Sequence, residues 1–217
     1  MTSYISVLRL DRAAIKALKI TDLYSLHRVV YGLFEDVRSQ EAKQSSESSG
    51  IQWVDKGGDH QYRQLLILSD RLPQQVNHGI IETKLIPPDF LLHQHYRFTI
   101  TVSPTRRSNQ SKKIFPIKGR EAIAAWFIER ATKNWGFSVD PIHLQVAAIN
   151  VQQFQDKAQR LVTLQQATLS GNLSVIDQDS FHSSFSKGLG RGRSFGCGLL
   201  QIVPVSTFYY FNQKESA

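Results

Sequence analysis

The chain has 217 residues, 41% of them hydrophobic, which supports one large folded domain or two small ones and excludes a wholly disordered chain. Lysine and arginine total 26 against 18 aspartates and glutamates, a formal charge of +8, so a phosphate-rich partner is the first expectation. The single cysteine, Cys197, excludes an internal disulfide framework and a cysteine-based zinc cluster, and neither a secretory leader nor a long apolar span is evident, so a cytoplasmic protein is expected.

In chain order, Tyr4 to Leu10 reads as a first strand, short, apolar and partly β-branched. From Asp22 to about Val37 the apolar positions Leu23, Leu26, Val30, Leu33 and Phe34 recur at helical spacing, with Thr21 or Asp22 as the cap. The serine-rich stretch Ser39 to Gly50 is a loop. Two strands follow, Ile51–Lys56 and Tyr62–Ser69, joined by a Gly57-Gly58-Asp59 turn. The segment Leu72–Ile81 has no clear period, and Ile80–Leu85 is strand-like up to the Pro87-Pro88 break.

After that break the pattern restarts. Arg97–Ser103 alternates as a half-buried strand, and Ile114–Ile117 can return as the second arm of a hairpin. Arg120–Trp135 carries Ala122, Ile123, Trp126, Phe127 and Ala131 at helical spacing. Strands are expected near His143–Phe154 and Arg160–Leu173, then a short helix Gln178–Lys187, a glycine-rich turn and a last strand Leu199–Val205. Each half therefore follows the βαββαβ order of a ferredoxin-like (RRM-like) unit, although the second helix of the first half is not evident. The expected fold is α+β, with two such domains in tandem, antiparallel sheets, and boundaries at 1–88 and 89–217.

The positive charge is local. No acidic residue lies between Asp89 and Glu121, a window that holds seven basic residues: Arg97, Arg106, Arg107, Lys112, Lys113, Lys118 and Arg120. A second acid-free stretch, from Asp179 to Glu215, contains Lys187, Arg191 and Arg193. Without these stretches the chain is slightly acidic, as a footprint on a polyanion requires. The sequence Gly188-Leu189-Gly190-Arg191-Gly192-Arg193-Ser194-Phe195-Gly196-Cys197-Gly198 places five glycines in eleven residues. Missing Cβ atoms let a backbone approach a phosphate, and the two arginines supply charge-assisted contacts. The stretch is neither a Walker loop nor a Rossmann turn, since it lacks the Gly-Lys-Ser/Thr ending and precedes the last strand.

That turn, followed by Leu199-Leu200, resembles the signature of the CRISPR repeat-processing endoribonucleases. On the first helix, Asp22-Leu23-Tyr24-Ser25-Leu26-His27 with Tyr31-Gly32-Leu33-Phe34 is similar to the CasE pattern within that superfamily. The resemblance implies two ferredoxin-like domains and cleavage of the CRISPR precursor transcript at the base of the repeat hairpin, without a metal ion or other cofactor. The protein would stay on the mature RNA as a Cascade subunit. Its partners would be the hairpin, its 3′ handle and other Cascade subunits, with no membrane. By resemblance His27 is the general acid or base, Tyr24 its orienting or proton-transferring neighbour, and Arg193 the charge at the scissile phosphate. Close relatives in that family commonly carry lysine where this chain has Arg193. An electrostatic role carries over to arginine, whereas a proton-shuttling role does not.

RNA brings its own nucleophile, the 2′-hydroxyl, and histidine suits the proton work because its unperturbed pKa is about 6.5. His27 lies at the border of the apolar stripe with Tyr24 and Tyr31 on its flank. Which of His27 and Tyr24 takes the 2′ proton is open at this level. The expected RNA-binding set is Arg106, Arg107, Lys112, Lys113, Lys118 and Arg120 on and after the basic hairpin, with Gly188, Gly190, Arg191, Gly192, Ser194 and Gly196 in the turn. His93 and His95 lack Asp, Glu or Cys at ligand spacing, so no metal site is expected. The alternative to a nuclease is a non-catalytic subunit of the same superfamily that holds a guide RNA.

Overall fold

The computed structural model describes residues 2–39, 41, 48–59 and 61–205. Most of the expected serine loop and the aromatic run Phe208–Phe211 lie outside the described residues.

Strict alternation in β1 (Tyr4–Asp11) turns Ser6, Leu8 and Leu10 to one buried face. The strand is paired antiparallel on both sides, by β3 (Tyr62–Ser69) and β4 (Ile80–Leu85), and β2 (Ile51–Gly58) adds to β3. The resulting order, β2-β3-β1-β4, is that of a ferredoxin-like sheet. Trp53, Leu65, Ile67 and Leu26 complete its core with no exposed surface. A helix of six residues, α1 (Arg12–Ala17), follows β1 and is capped by Asp11. It is too short to leave a periodic trace in the sequence. No helix fills residues 70–79 between β3 and β4, which accords with the absent period there.

Helix α2 (Leu23–Tyr31) carries the motif histidine. The Asp22 side chain accepts from the Ser25 N–H at 2.7 Å, and the Ser25 hydroxyl accepts from the Asp22 N–H at 2.9 Å, a reciprocal capping box. Leu23, Leu26 and Val30 face the core. The helix stops at Tyr31, short of the Val37 end expected from the spacing. Gly32 takes the C-cap, and Leu33 and Phe34 continue in tighter turns to Val30 and Tyr31. Their side chains stay buried, so the apolar spacing outlasts the helix.

The second sheet repeats the plan. It contains β5 (His95–Val102), β8 (Phe137–Val139), β10 (Leu161–Val175) and β11 (Gln201–Pro204) in the order β11-β5-β10-β8, with β9 (Gln145–Gln155) also on β10. The short strand β8 is an addition to the sequence reading. Helix α3 (Arg120–Asn134) buries Ile123, Phe127 and Ala131, and α4 (Gln178–Lys187) buries Phe181 and Phe185. These meet Phe98, Trp135 and Phe137 in an aromatic core, with Phe98 stacked on Phe127 at 5.6 Å and Phe137 edge-on to Phe181 at 6.1 Å. A separate two-stranded ladder, β6 (Thr105–Arg107) with β7 (Ile114–Pro116), forms the basic hairpin.

Two compact units result. The first comprises the described residues up to Ile86 together with 153–163 and 193–196, and the second the described residues of 87–152, 164–192 and from 197 onward. The β9–β10 tip and four residues of the glycine turn thus count with the first unit. No helix among the described residues is long and apolar enough to cross a membrane.

The capping box predicts that Asp22→Ala lowers stability by about 1 kcal/mol, read as an earlier urea midpoint with an unchanged slope.

Candidate active site and basic surface

In the first unit, His27 and the 3₁₀ turn Arg193–Phe195 meet although 167 positions separate His27 from Ser194 in the chain. His27 Nδ1 lies 2.9 Å from the main-chain oxygen of Ser194. A carbonyl only accepts, so Nδ1 carries a proton and donates. In the neutral ring Nε2 is then the unprotonated nitrogen. The indole Nε1–H of Trp53, on β2, donates to the same oxygen at 3.2 Å. Aromatic rings hem the imidazole: Tyr31 at 4.3 Å, Phe195 at 5.5 Å and Tyr24 stacked at 6.0 Å between centroids. Phe154 packs on Phe195 at 4.7 Å from the hairpin tip, and the Tyr31 hydroxyl accepts from Ser49.

Burial of His27 disfavours the imidazolium and lowers its pKa below the usual 6.5, and the Ser194 carbonyl offsets part of that shift. The side chain is half-buried, and the shift favours its neutral form. The Arg28 guanidinium lies 5.9 Å from the centre of the Tyr24 ring, a cation–π contact that borders the phenol with positive charge. Arg193 opens the 3₁₀ turn and is half-buried. His27, Tyr24 and the Arg193 turn therefore share one unit. Such a group can hold and move a proton beside a fixed positive charge.

Within the glycine turn, all five glycines have φ between +73° and +90°, a region that favours glycine whatever lies nearby. At Gly190 a Cβ would meet nothing within 4 Å, so only the backbone angle matters there. At Gly196 a Cβ would also come 3.2 Å from the Trp53 ring. Close packing on that indole, in addition to any approach to phosphate, requires glycine here. Ser194 contributes its carbonyl to the site. Gly188 caps α4, and Gly192 lies against Cys197. Burial pushes the Cys197 thiol up to about 12, which leaves it protonated and without nucleophilic character.

The basic set sits on the second unit. Arg106 and Arg107 lie on β6, while Lys112 and Lys113 follow in the turn, where Lys112 has a φ of +56°. All four are exposed. Lys118 borders an apolar hollow with Phe115, Pro116 and Ile117. Arg120 opens α3 and donates to the Val146 carbonyl, a structural tie that its place in the charge run does not reveal. Arg191 bridges Ser103 through its backbone. With Arg106, Arg107 and Gly190 it lines a cavity of about 350 Å³. Among the described residues, no three His, Cys, Asp or Glu side chains are grouped so as to hold a metal ion. Sequence reasoning missed Trp53, since a tryptophan inside a strand reads as core, and Arg130, which joins Arg106, Arg107 and Arg191 at the cavity from one helical turn beyond Trp126.

Comparison with known proteins agrees with this architecture. A curated relative, the CRISPR-associated endoribonuclease Cse3 of Thermus thermophilus, is 27% identical over 120 residues. That alignment covers 51% of this chain and only 56% of the relative. A solved structure of the CRISPR endoribonuclease Cse3 bound to a 19 nt RNA superimposes with a TM-score of 0.78 at 19% identity, covering 94% of this chain and 100% of that one. A chain of a CRISPR RNA-guided surveillance complex in a pre-nicking state gives 0.68 at 20% identity, covering 93% and 100%. At these identities the likeness is one of fold, two ferredoxin-like units in tandem. The family described as CRISPR associated protein matches residues 3–204, nearly the whole chain, and the CasE resemblance of its two end motifs agrees with that match. The chain belongs to the CRISPR associated protein family.

Proposed function

We propose that this chain is an endoribonuclease that cuts CRISPR precursor RNA at the base of the repeat hairpin. It remains on the mature RNA as a subunit of a Cascade-type complex in the cytoplasm. The observation that carries this reading is the hydrogen bond from His27 Nδ1 to the Ser194 carbonyl, which sets the motif histidine beside the arginine-bearing turn. The Cse3 and surveillance-complex relatives support the substrate and the assembly.

The tautomer and the lowered pKa favour His27 as the base. Nε2 takes the 2′-hydroxyl proton as the 2′-oxygen attacks the adjacent phosphorus. The 5′-oxygen leaves with a proton, for which Tyr24 is the candidate donor. Arg193 offsets the charge that grows on the phosphorane-like transition state. The products are a 2′,3′-cyclic phosphate and a 5′-hydroxyl. These steps use protein groups and the RNA alone, so cleavage is expected to continue in excess EDTA. The exposed cations of the β6–β7 hairpin hold the stem by its phosphates, since the deep, narrow major groove of an RNA duplex hides its base edges.

His27→Ala is expected to abolish cleavage of a repeat hairpin while changing affinity by less than about tenfold, ~1.4 kcal/mol, by gel shift. Full cleavage by this variant overturns the mechanism. For the wild type, the base form is the active one. The rate rises with pH through an inflection below 6.5 and then levels, whereas a falling limb there assigns His27 as the acid.

Trp53→Phe removes the indole donor and leaves the Ser194 carbonyl wholly to His27. The His27 pKa then rises, measured by NMR titration, and the inflection in the rate profile moves with it.

Changing Arg106, Arg107, Lys112 and Lys113 together to alanine lowers the slope of log affinity against log salt by about 3 to 4 if each contacts one phosphate. An unchanged slope places the stem on another surface.

A further inference from the structure

The cavity of about 350 Å³ on the second unit has a composition that stem binding does not require. Four arginines line it from three elements: Arg106 and Arg107 from β6, Arg130 from α3 and Arg191 from the glycine turn. No acidic side chain lines it. Arginine does not lose its charge near neutral pH, so the lining offers fixed positive charge to an anion. Its wall is formed by Trp126 and Trp135, edge to face at 5.9 Å. The Trp126 Nε1–H is shielded from solvent and has no hydrogen-bond partner among the described residues.

Duplex phosphates are met by an exposed basic surface and call for neither concavity nor indole. Cations combined with aromatic faces are the mark of sites for unpaired nucleotides, whose bases are free to stack. The volume suits one nucleotide and lies in the range of small-ligand pockets. We infer that this cavity takes a single unpaired ribonucleotide of the bound RNA. Its phosphate lies beside Arg130 and Arg191, and its base lies against the tryptophan wall. The inference rests on the RNA-binding reading above and extends it from the stem to a single-stranded segment.

The test uses the full chain, a fluorescein-labelled short oligouridylate and the same sugar–phosphate backbone without bases, compared by anisotropy at one salt concentration. The oligouridylate is expected to bind at least about fivefold more tightly than the abasic strand. Arg130→Ala is expected to weaken oligouridylate binding by about fivefold. Trp126→Ala, which removes the ring, should weaken it by a similar factor and remove most of the preference for bases. Arg130 is exposed, so its variant keeps the fold, and near-ultraviolet circular dichroism checks the Trp126 variant. Equal binding of the two strands, no binding of either, or an Arg130→Ala variant that binds oligouridylate like the wild type overturns the slot. A chain that cuts the repeat hairpin yet ignores base removal keeps the nuclease reading and loses this one. Base-dependent binding without any cleavage does the reverse.

Discussion

One main-chain oxygen organises the candidate active site. The Ser194 carbonyl accepts from His27 on a helix near the front of the chain and from Trp53 on a strand. A carbonyl has two lone pairs, so both bonds are compatible, and neither donor can be exchanged for an acceptor without breaking the arrangement. The oxygen is presented by a turn whose neighbour Gly196 needs a positive φ and lies close to the Trp53 ring. The same few atoms thus set the histidine tautomer, hold the arginine-bearing turn and explain a glycine. Apolar rings around the imidazole then lower its pKa, because they favour the neutral form over the ion.

Charge is distributed by a different logic. In the first unit, cations such as Arg63 and Arg9 are paired with Asp55 and Glu82 and serve the fold. On the second, the hairpin arginines and lysines have no carboxylate opposite them among the described residues. The β6–β7 ladder is short, with Ile114 and Phe115 exposed, so its own burial contributes little. Such an element adds charge and little core to the second unit. Within the run, the Arg120 guanidinium is committed to the Val146 carbonyl, and the Arg107 Nε–H donates to that of Lys112.

Much of the architecture is legible because the strands alternate and the ferredoxin-like order repeats. Gln178–Lys187 reads as a helix with the bounds it has, helped by Asp177 at its cap and Gly188 at its end. The first helix reads too long, because Leu33 and Phe34 stay buried in turns beyond Gly32 and so mimic another helical turn. Helix α1 and strand β8 are short elements whose conformation depends on neighbours, and periodicity does not register them. His27 and Arg193 are legible as candidates from motif and charge, whereas Trp53 is not, since nothing local distinguishes a core indole from one that shares a carbonyl.

By itself the sequence determined the residue inventory, the two end motifs, the local excess of positive charge and the repeated order of strands and helices, because these depend on composition and short-range spacing. Only the tertiary structure decided which distant groups meet: which nitrogen of His27 is protonated, that Trp53 shares its acceptor, and that Arg130 joins Arg106, Arg107 and Arg191 around one cavity. Those facts follow from chain reversal and strand pairing, which bring residues far apart in sequence within a few ångströms, and no local pattern encodes that distance.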